Sequence, residues 1–314
     1  MEENNQKKFS INLTPWTICL VGFLLSVSIT TYIYFGDPKA STFAQLFLME
    51  KTGTASAETR NENPFQKLQL TAKAAIVYDA QTGRILFSKN ESVQLPLASI
   101  TKVMSAVTAL KLADNFNIKS PIAFDEHNWN LKDLLKFGLI ASSNEGIASV
   151  AHAISLYEKK TDENVFARIN LVDEMNALAK ELKLKQTYFI NETGLDFNEK
   201  IAGAYGSAKD VAKLFAYAIK KNPDVLGATR YQTASLTTLD GAIYNPQNTN
   251  IDVEKMTTLI ASKTGTTDLS GGNLVIAFDA GLSHPIVIVA LGSTPESRLA
   301  DVESLSRATL EYLK

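Results

Sequence analysis

The sequence predicts a mixed α/β domain of the α+β type, in which a mostly antiparallel sheet is built from both chain ends and a helical lobe lies between them. Two β-rich runs at 74–78 and 84–88 are joined by a turn containing Gly83, which is typical of a hairpin. Strand-like runs return near the C-terminus, at 257–262, 272–280 and 286–291. Strands at both ends with helices between them do not suit βαβ repeats, so both ends must contribute to one sheet.

The middle of the chain has apolar residues at helical spacing. The first such segment begins at Ser99, and further helical patterns follow at 131–141, 145–157, 165–183 and 207–221. An amphipathic pattern over 296–313 predicts a closing helix. The helical lobe is therefore predicted to come from the centre of the sequence.

The N-terminal region differs in composition from the rest. Residues 9–36 carry no charge, and the apolar run at 16–35 is about 30 Å long as a helix, which matches a bilayer core. Lys7 and Lys8 precede it, so we expect an uncleaved transmembrane helix with a cytoplasmic N-terminus. The predicted organisation is a cytoplasmic tail at 1–14, an anchor at 15–36, a tether at 37–70 and a globular domain at 71–314.

Charge and composition exclude several classes of function. Lys and Arg number 31 against 33 Asp and Glu, so no strong positive field attracts nucleic acid. The three histidines lie far apart and have no metal-ligand spacing, so no metal site is predicted. The single cysteine, Cys19, lies within the apolar run, which leaves the globular part without thiols and suits export to an oxidising space.

A serine and a lysine lie three residues apart at the start of the first helical segment, in Ser99-Ile100-Thr101-Lys102. Positions i and i+3 share one face of a helix, so the amine can accept the hydroxyl proton. That chemistry needs a neutral amine, which burial and a second nearby cation both favour. The motif by itself is common and also fits an ordinary helix start.

Two further short motifs follow in order. Ser142-Ser143-Asn144 lies between an apolar helical segment and the next helix, where it can present a hydroxyl and an amide to a cleft, although Ser142 fits a plain N-cap equally well. Lys263-Thr264-Gly265-Thr266 follows a strand-like run, and its cation and hydroxyls can bind a carboxylate while Gly265 allows a substrate backbone to approach. The same letters KTGT occur at 51–54, within the predicted tether, and we interpret that copy as coincidence.

The ordered set of S-x-x-K, S-x-N and K-T-G resembles the penicillin-binding protein and serine β-lactamase superfamily. Within it the chain is most similar to the low-molecular-mass D-alanyl-D-alanine carboxypeptidases. The similarity runs from about residue 74 to residue 313 and includes the phrases MNALAKELKLKQTYFINETGL and GSAKDVAKLFAYAIKKNP. It implies a β-lactamase/transpeptidase-like fold and a peptidase that acts on peptidoglycan.

The resemblance implies a catalytic role for three of these residues. Ser99 is expected to be the acyl-ester nucleophile, Lys102 its general base, and Ser142 a proton relay to the leaving D-alanine. The backbone N–H groups of Ser99 and Thr266 are expected to form the oxyanion hole. The reaction would be acyl transfer to the serine and then to water, with no cofactor.

The resemblance also implies how substrate is held. Asn144 is expected to bind the peptide, and Lys263, Thr264, Gly265 and Thr266 to form the site for the terminal carboxylate. The expected partners are peptidoglycan peptides, β-lactam antibiotics as covalent inhibitors, and the membrane through the N-terminal helix. The protein would be a single-pass protein of the bacterial cell membrane with its catalytic domain outside the cytoplasm.

The sequence departs from this pattern in two places, and three other functions stay open. The spacing from Ser99 to Ser142 is shorter than usual in the family, and no arginine lies just upstream of Lys263, where Arg230 is the nearest candidate. The alternatives are an endopeptidase that cleaves D-alanyl cross-links, a β-lactamase and an inactive binder of wall peptides. A β-lactamase needs a deacylating glutamate, for which 181–185 (ELKLK) is the only near match.

Overall fold

The computed structural model describes residues 63–160, 166–256 and 258–314. The predicted tail (1–14), the predicted anchor (15–36) and most of the predicted tether lie outside these residues, as does the first KTGT copy. In the described part of the chain, no helix has both the length and the apolar character that crossing a membrane requires.

Five strands of the described residues form one large sheet, and the other nine form four small sheets. They are β1 (Ala74–Asp79), β2 (Ile85–Lys89), β3 (Leu95–Pro96), β4 (Ile122–Phe124), β5 (His127–Trp129), β6 (Glu158–Lys160), β7 (Phe166–Arg168), β8 (Tyr188–Phe189), β9 (Ala204–Gly206), β10 (Leu236–Thr237), β11 (Ile243–Tyr244), β12 (Leu259–Thr267), β13 (Gly271–Asp279) and β14 (Pro285–Ser293). The large sheet has the order β12-β13-β14-β1-β2, and every pairing in it is antiparallel. Because β1 pairs with β14, the sheet joins the two ends of the domain, as predicted.

The helices occupy the middle of the chain and its end. They are α1 (Thr101–Phe116), α2 (Leu131–Ile140), α3 (Asn144–Ser155), α4 (Leu171–Glu181), α5 (Ala208–Lys221), α6 (Pro223–Gly227) and α7 (Ser297–Tyr312). Helices α2, α3, α4 and α5 each begin at an Asn or Ser whose side chain accepts a backbone N–H of the first turn. Residues 101–110 of α1 are all buried, and α1 packs against those four helices. A helix buried on every side forms the centre of the lobe, and its N-terminus meets β12.

Both faces of the sheet are covered, which explains why its strands are apolar almost without interruption. On β13, Val275 and Ala277 belong to the core that the sheet shares with the helical lobe. The alternate residues Leu274, Ile276 and Phe278 belong to a second core with α7. This alternation follows from the two-residue period of a strand. The sheet is therefore a buried layer between the lobe and the closing helix.

Two predicted boundaries were wrong. The helix predicted over 165–183 begins only at Leu171, where the side chain of Asn170 accepts the N–H groups of Val172 and Asp173, and β7 precedes it. The predicted tether extended to residue 70, but Phe65 is buried and its ring lies 5.3 Å from that of Phe87. Residues 63–70 thus belong to the domain, because their apolar side chains complete the core beside α7.

Candidate active site

Ser99 lies in one turn of 3-10 helix, Ala98–Ile100, that leads into α1. Ala98 has φ +49°, a left-handed conformation that is uncommon for a residue with a Cβ. Gly194 and Gly265 allow neighbouring segments to close on this turn. A Cβ on Gly194 would overlap the carbonyl oxygen of Ala98, and one on Gly265 would lie 2.9 Å from that of Leu97. Close packing on two sides therefore fixes Ser99 at the start of the helix.

The hydroxyl of Ser99 contacts the amine of Lys102. The distance from Lys102 Nζ to Ser99 Oγ is 2.7 Å, and the same Nζ donates to the carbonyl oxygen of Thr193 at 3.0 Å. Lys102 is fully buried, and burial lowers its pKa from 10.5 to about 8 although the carboxylates of Glu145 and Glu192 oppose the shift. The amine is thus close to the serine and is neutral at a lower pH than an exposed lysine.

The second motif meets the third across the site. Lys263 Nζ donates to Ser142 Oγ at 2.9 Å and to the carbonyl oxygen of Thr264 at 3.0 Å. Ser142 has φ +57°, and its hydroxyl is not the cap of α3, because Ser143 Oγ accepts the Gly146 N–H at 3.0 Å instead. The plain N-cap interpretation of Ser142 was therefore wrong, and its hydroxyl faces the lysine of β12.

Lys263 is also buried. Burial lowers its pKa well below 10.5, and the nearby cations Lys102 and Arg298 lower it further. The Cβ position of Gly265 lies 3.1 Å from the backbone nitrogen of Ser99, so S-x-x-K and K-T-G share one site. Two buried amines in one site cannot both hold protons without a large cost in free energy, which favours a neutral base.

Asn144 begins α3 next to Ser142. Its Oδ1 is buried and has no hydrogen-bond partner within the residues that the structure describes. A buried amide oxygen without a partner is costly in a folded protein. The Oδ1 of Asn144 is therefore an unused hydrogen-bond acceptor close to Ser142.

Strand β12 forms one edge of the sheet, and only part of that edge is covered. The N–H of Ser262 donates to Thr229 Oγ1 at 3.0 Å, so a neighbouring turn covers the edge there. Beyond it, Gly265 faces the Ser99 turn, with its Cβ position 3.1 Å from the Ser99 N–H nitrogen. The predicted reason for this glycine was the approach of substrate, but the structure shows that it makes room for the chain's own backbone at Leu97 and Ser99.

Comparison with known proteins identifies the family. A family model described as D-alanyl-D-alanine carboxypeptidase, peptidase family S11, matches residues 57–129 and 113–294, which is more than half of the chain. The chain belongs to this family. The matched residues include Ser99, Lys102, Ser142 and Lys263, which the structure brings together.

Individual members of the S11 family show how far the similarity extends. The D-alanyl-D-alanine carboxypeptidase DacF of Bacillus subtilis is 27% identical over 84% of this chain, and a D-alanyl-D-alanine endopeptidase of Pseudomonas aeruginosa is 29% identical over 54%. The matches cover 66% and 55% of these relatives, so the chain spans less than two thirds of their length. Penicillin-binding protein D2 of Listeria monocytogenes, solved with bound cefotaxime, is 26% identical in sequence and superposes with a TM-score of 0.64. The superposition covers 77% of this chain and 98% of the Listeria chain.

An arginine that the sequence analysis missed lies against the end of the Lys263-Thr264-Gly265-Thr266 motif. Arg298, on α7, donates from Nη1 to Thr266 Oγ1 at 2.5 Å and to the Gly265 carbonyl oxygen at 3.2 Å. Arg230, the expected candidate, is exposed and its guanidinium lies over the ring of Tyr231 instead. No motif marks Arg298, because its position depends on how α7 packs against the sheet.

Three other expectations can be placed. Glu181, in the near match to a β-lactamase loop, is an exposed residue that pairs with Lys111 at 2.5 Å. The short connection from Ser99 to Ser142 forms the hairpin of β4 and β5 and then α2, which ends two residues before Ser142. Among the described residues, no group of three or more His, Cys, Asp or Glu side chains is arranged to hold a metal ion.

We expect Lys102 to lose its proton near pH 8 in the unliganded protein, because burial removes the water that stabilises an ammonium ion. NMR titration of protein with labelled lysine side chains measures this, with the Lys102→Arg variant assigning the signal. Lys255 serves as the control, since it is exposed and Asp252 raises its pKa above 10.5. If the Lys102 amine stays protonated above pH 10, burial is not the dominant influence on its pKa.

Proposed function

We propose that this S11 member is a serine-type D-alanyl-D-alanine carboxypeptidase that removes the terminal D-alanine from peptidoglycan stem peptides. The observation that carries the proposal is the 2.7 Å contact between Ser99 Oγ and the Nζ of the fully buried Lys102. A serine hydroxyl becomes a nucleophile when a neutral base within hydrogen-bond reach takes its proton. The family match supports the choice of substrate.

Acylation is the first half of the proposed reaction. Neutral Lys102 takes the proton of Ser99 as Oγ attacks the carbonyl carbon of the penultimate D-alanine. The oxygen of that carbonyl becomes negative and is stabilised by backbone N–H groups of Ser99 and Thr266. The carbon–nitrogen bond then breaks, and a proton passes through Ser142 to the leaving D-alanine amine, which leaves an ester on Ser99.

Deacylation repeats these proton transfers with water. Lys102 takes a proton from a water molecule, which attacks the ester carbonyl, and the carbon–oxygen bond to Ser99 breaks. The peptide leaves with a new carboxyl group, and Ser99 regains its proton. All the groups required are side chains and backbone N–H groups of the chain itself.

Binding of the substrate carboxylate also affects the base. Lys263 and Thr264 lie near the guanidinium of Arg298, which lowers the pKa of Lys263 further, and Thr264 Oγ1 lies 2.6 Å from the hydroxyl of Thr249. An anion bound there raises the pKa of Lys263, and the resulting ammonium ion lowers the pKa of Lys102. Substrate would thus help to deprotonate the base, while Asn144 accepts a peptide N–H.

The same geometry would accept β-lactams. A β-lactam carries a carboxylate and a strained amide, so Ser99 would open the ring and remain acylated. A relative in the comparison, penicillin-binding protein D2, was solved with cefotaxime bound. Labelling by a fluorescent penicillin therefore provides a direct assay of acylation that does not require the natural substrate.

The decisive experiment combines this label with a D-Ala-D-Ala pentapeptide. We expect the wild-type protein to form a covalent adduct at Ser99 and to release D-alanine, and the Ser99→Ala variant to do neither, because no other group can form the ester. Mass spectrometry of the adduct and a D-alanine assay measure the two reactions. Ser143→Ala, which removes the hydroxyl that caps α3 and contacts Glu145, is the control. Release of D-alanine by Ser99→Ala would refute the mechanism.

An endopeptidase is a second candidate, supported by the 29% identity to the Pseudomonas aeruginosa endopeptidase. The nucleophile and base would be the same, and only the group that leaves would differ. A third incubation with a purified cross-linked peptide dimer distinguishes the two. Cleavage of the dimer faster than release of D-alanine from the pentapeptide would favour the endopeptidase.

We expect Arg298→Gln to reduce kcat/KM for the pentapeptide by about tenfold or more, because it removes a charged hydrogen-bond donor to the terminal carboxylate. Steady-state kinetics with the free peptide and with its C-terminal amide measure the effect. The amide should be insensitive to the substitution. Arg307→Gln is the matched control, since Arg307 is exposed on the same helix and pairs with Glu303. Equal losses of kcat/KM in the two variants would show that Arg298 does not bind the terminal carboxylate.

We also propose that residues 15–36 anchor the enzyme in the bacterial cytoplasmic membrane with its catalytic domain outside. The support is the charge-free run at 9–36, preceded by Lys7 and Lys8. Full-length protein should remain in the membrane pellet after an alkaline carbonate wash. Recovery of a shortened, soluble chain would contradict an uncleaved anchor.

A further inference from the structure

A buried asparagine connects the sheet to the backbone just before Ser99. Asn273, on β13, is fully buried, and its Nδ2 donates to the carbonyl oxygens of Pro96 at 3.0 Å and Leu97 at 3.1 Å. Its Oδ1 accepts the N–H of Gly292 at 2.8 Å. One side chain therefore links β13, β14 and the turn that carries the nucleophile.

The position is unusual for a polar residue. Asparagine is depleted in strands, and a buried amide is tolerated only where its hydrogen bonds are made. The register between β13 and β14 shifts between Gly272 and Leu274, so Asn273 lies at an irregularity of the ladder. At this irregularity its side-chain oxygen, instead of a backbone carbonyl, accepts the N–H of Gly292.

Gly265 and Asn273 act on the same turn from neighbouring strands. They are directly paired in the β12–β13 register, so both point to the same face of the sheet. The missing Cβ of Gly265 leaves space for the backbone of Leu97 and Ser99. Asn273 then supplies the hydrogen bonds that hold this backbone in that space.

The turn needs such support because its conformation is strained. Ala98, between Leu97 and Ser99, has φ +49°, and a residue with a Cβ in the left-handed region persists only where its surroundings enforce it. Asn273 bonds the two carbonyl groups immediately before Ala98. Without these bonds the turn can relax, which moves both the hydroxyl and the N–H of Ser99.

We infer that Asn273 is a positioning residue for acylation, which holds the strained turn so that Ser99 meets both Lys102 and the substrate carbonyl. The inference rests on the proposed function, in which Ser99 is the nucleophile. Asn273 touches no substrate and acts through the backbone at 96–97. Its loss should therefore slow the chemical step and leave the binding of the uncleaved ligand almost unchanged.

The test is the time course of labelling by a fluorescent penicillin over a range of concentrations, which separates the pre-covalent dissociation constant from the limiting acylation rate. The variants are Asn273→Asp, which replaces the donor by an acceptor, and Asn273→Ser, which removes the amide without adding a charge. We expect the limiting rate to fall about 100-fold, since small misplacements of reacting groups have effects of this size. The dissociation constant should change less than about threefold, as for an interaction made only in the transition state.

The chain offers a matched control. Asn176, on α4, also donates from Nδ2 to two carbonyl oxygens, those of Val172 and Phe189, and accepts the N–H of Phe189. Asn176→Asp should lower the thermal stability as Asn273→Asp does but label at the wild-type rate. All rates are measured at a temperature at which circular dichroism shows each variant to be folded.

The outcomes separate the inference from the proposed function. Limiting rates near wild type in Asn273→Asp or in Asn273→Ser, or equal slowing in Asn176→Asp, would overturn the inference. An unlabelled wild-type protein would instead overturn the proposed function. Slow labelling confined to the Asn273 variants, with the dissociation constant preserved, supports the positioning role.

Discussion

The site depends on the burial of two lysine amines in the same small volume. Removing an ammonium ion from water is costly, and a second cation nearby increases the cost. The fold makes this possible because α1 is buried on all sides and carries Lys102 against the edge of a sheet that carries Lys263. The rest of the core offsets this cost, and the result is a buried amine with a pKa lowered to about 8 that contacts the hydroxyl of Ser99.

This arrangement places strict limits on the backbone around the serine. The turn before α1 passes between Gly194 and Gly265, with no space for a Cβ on either. Segments that are remote in sequence, around residues 98, 194 and 265, therefore have to meet closely at this turn. The core around the turn explains how Ala98 is tolerated in a left-handed conformation next to Ser99.

Much of the fold could be predicted from local patterns. The hairpin of β1 and β2 and the late strands are marked by β-rich apolar runs between turn residues, the closing helix by apolar residues at helical spacing, and the three motifs fall on the elements expected of them. Other features depend on tertiary contacts that leave no local signal. Arg298 meets Thr266 only because α7 packs on the sheet, and Ser143 caps α3 while Ser142 contacts Lys263 of a distant strand. The helix predicted over 165–183 failed because an N-cap at Asn170 outweighs the periodicity before it.

The partly covered edge of β12 has a consequence for which molecules can enter. A free strand edge pairs with any extended backbone, which is useful for binding and dangerous for aggregation. Here the bond from Ser262 to Thr229 closes the edge just before Lys263, and the strand ends at Thr267. Of the residues that follow Ser262, Lys263, Thr264 and Gly265 are buried, and Thr266 and Thr267 at the end of the strand are accessible. So short an accessible stretch excludes the sheet-to-sheet growth that a longer bare edge would invite.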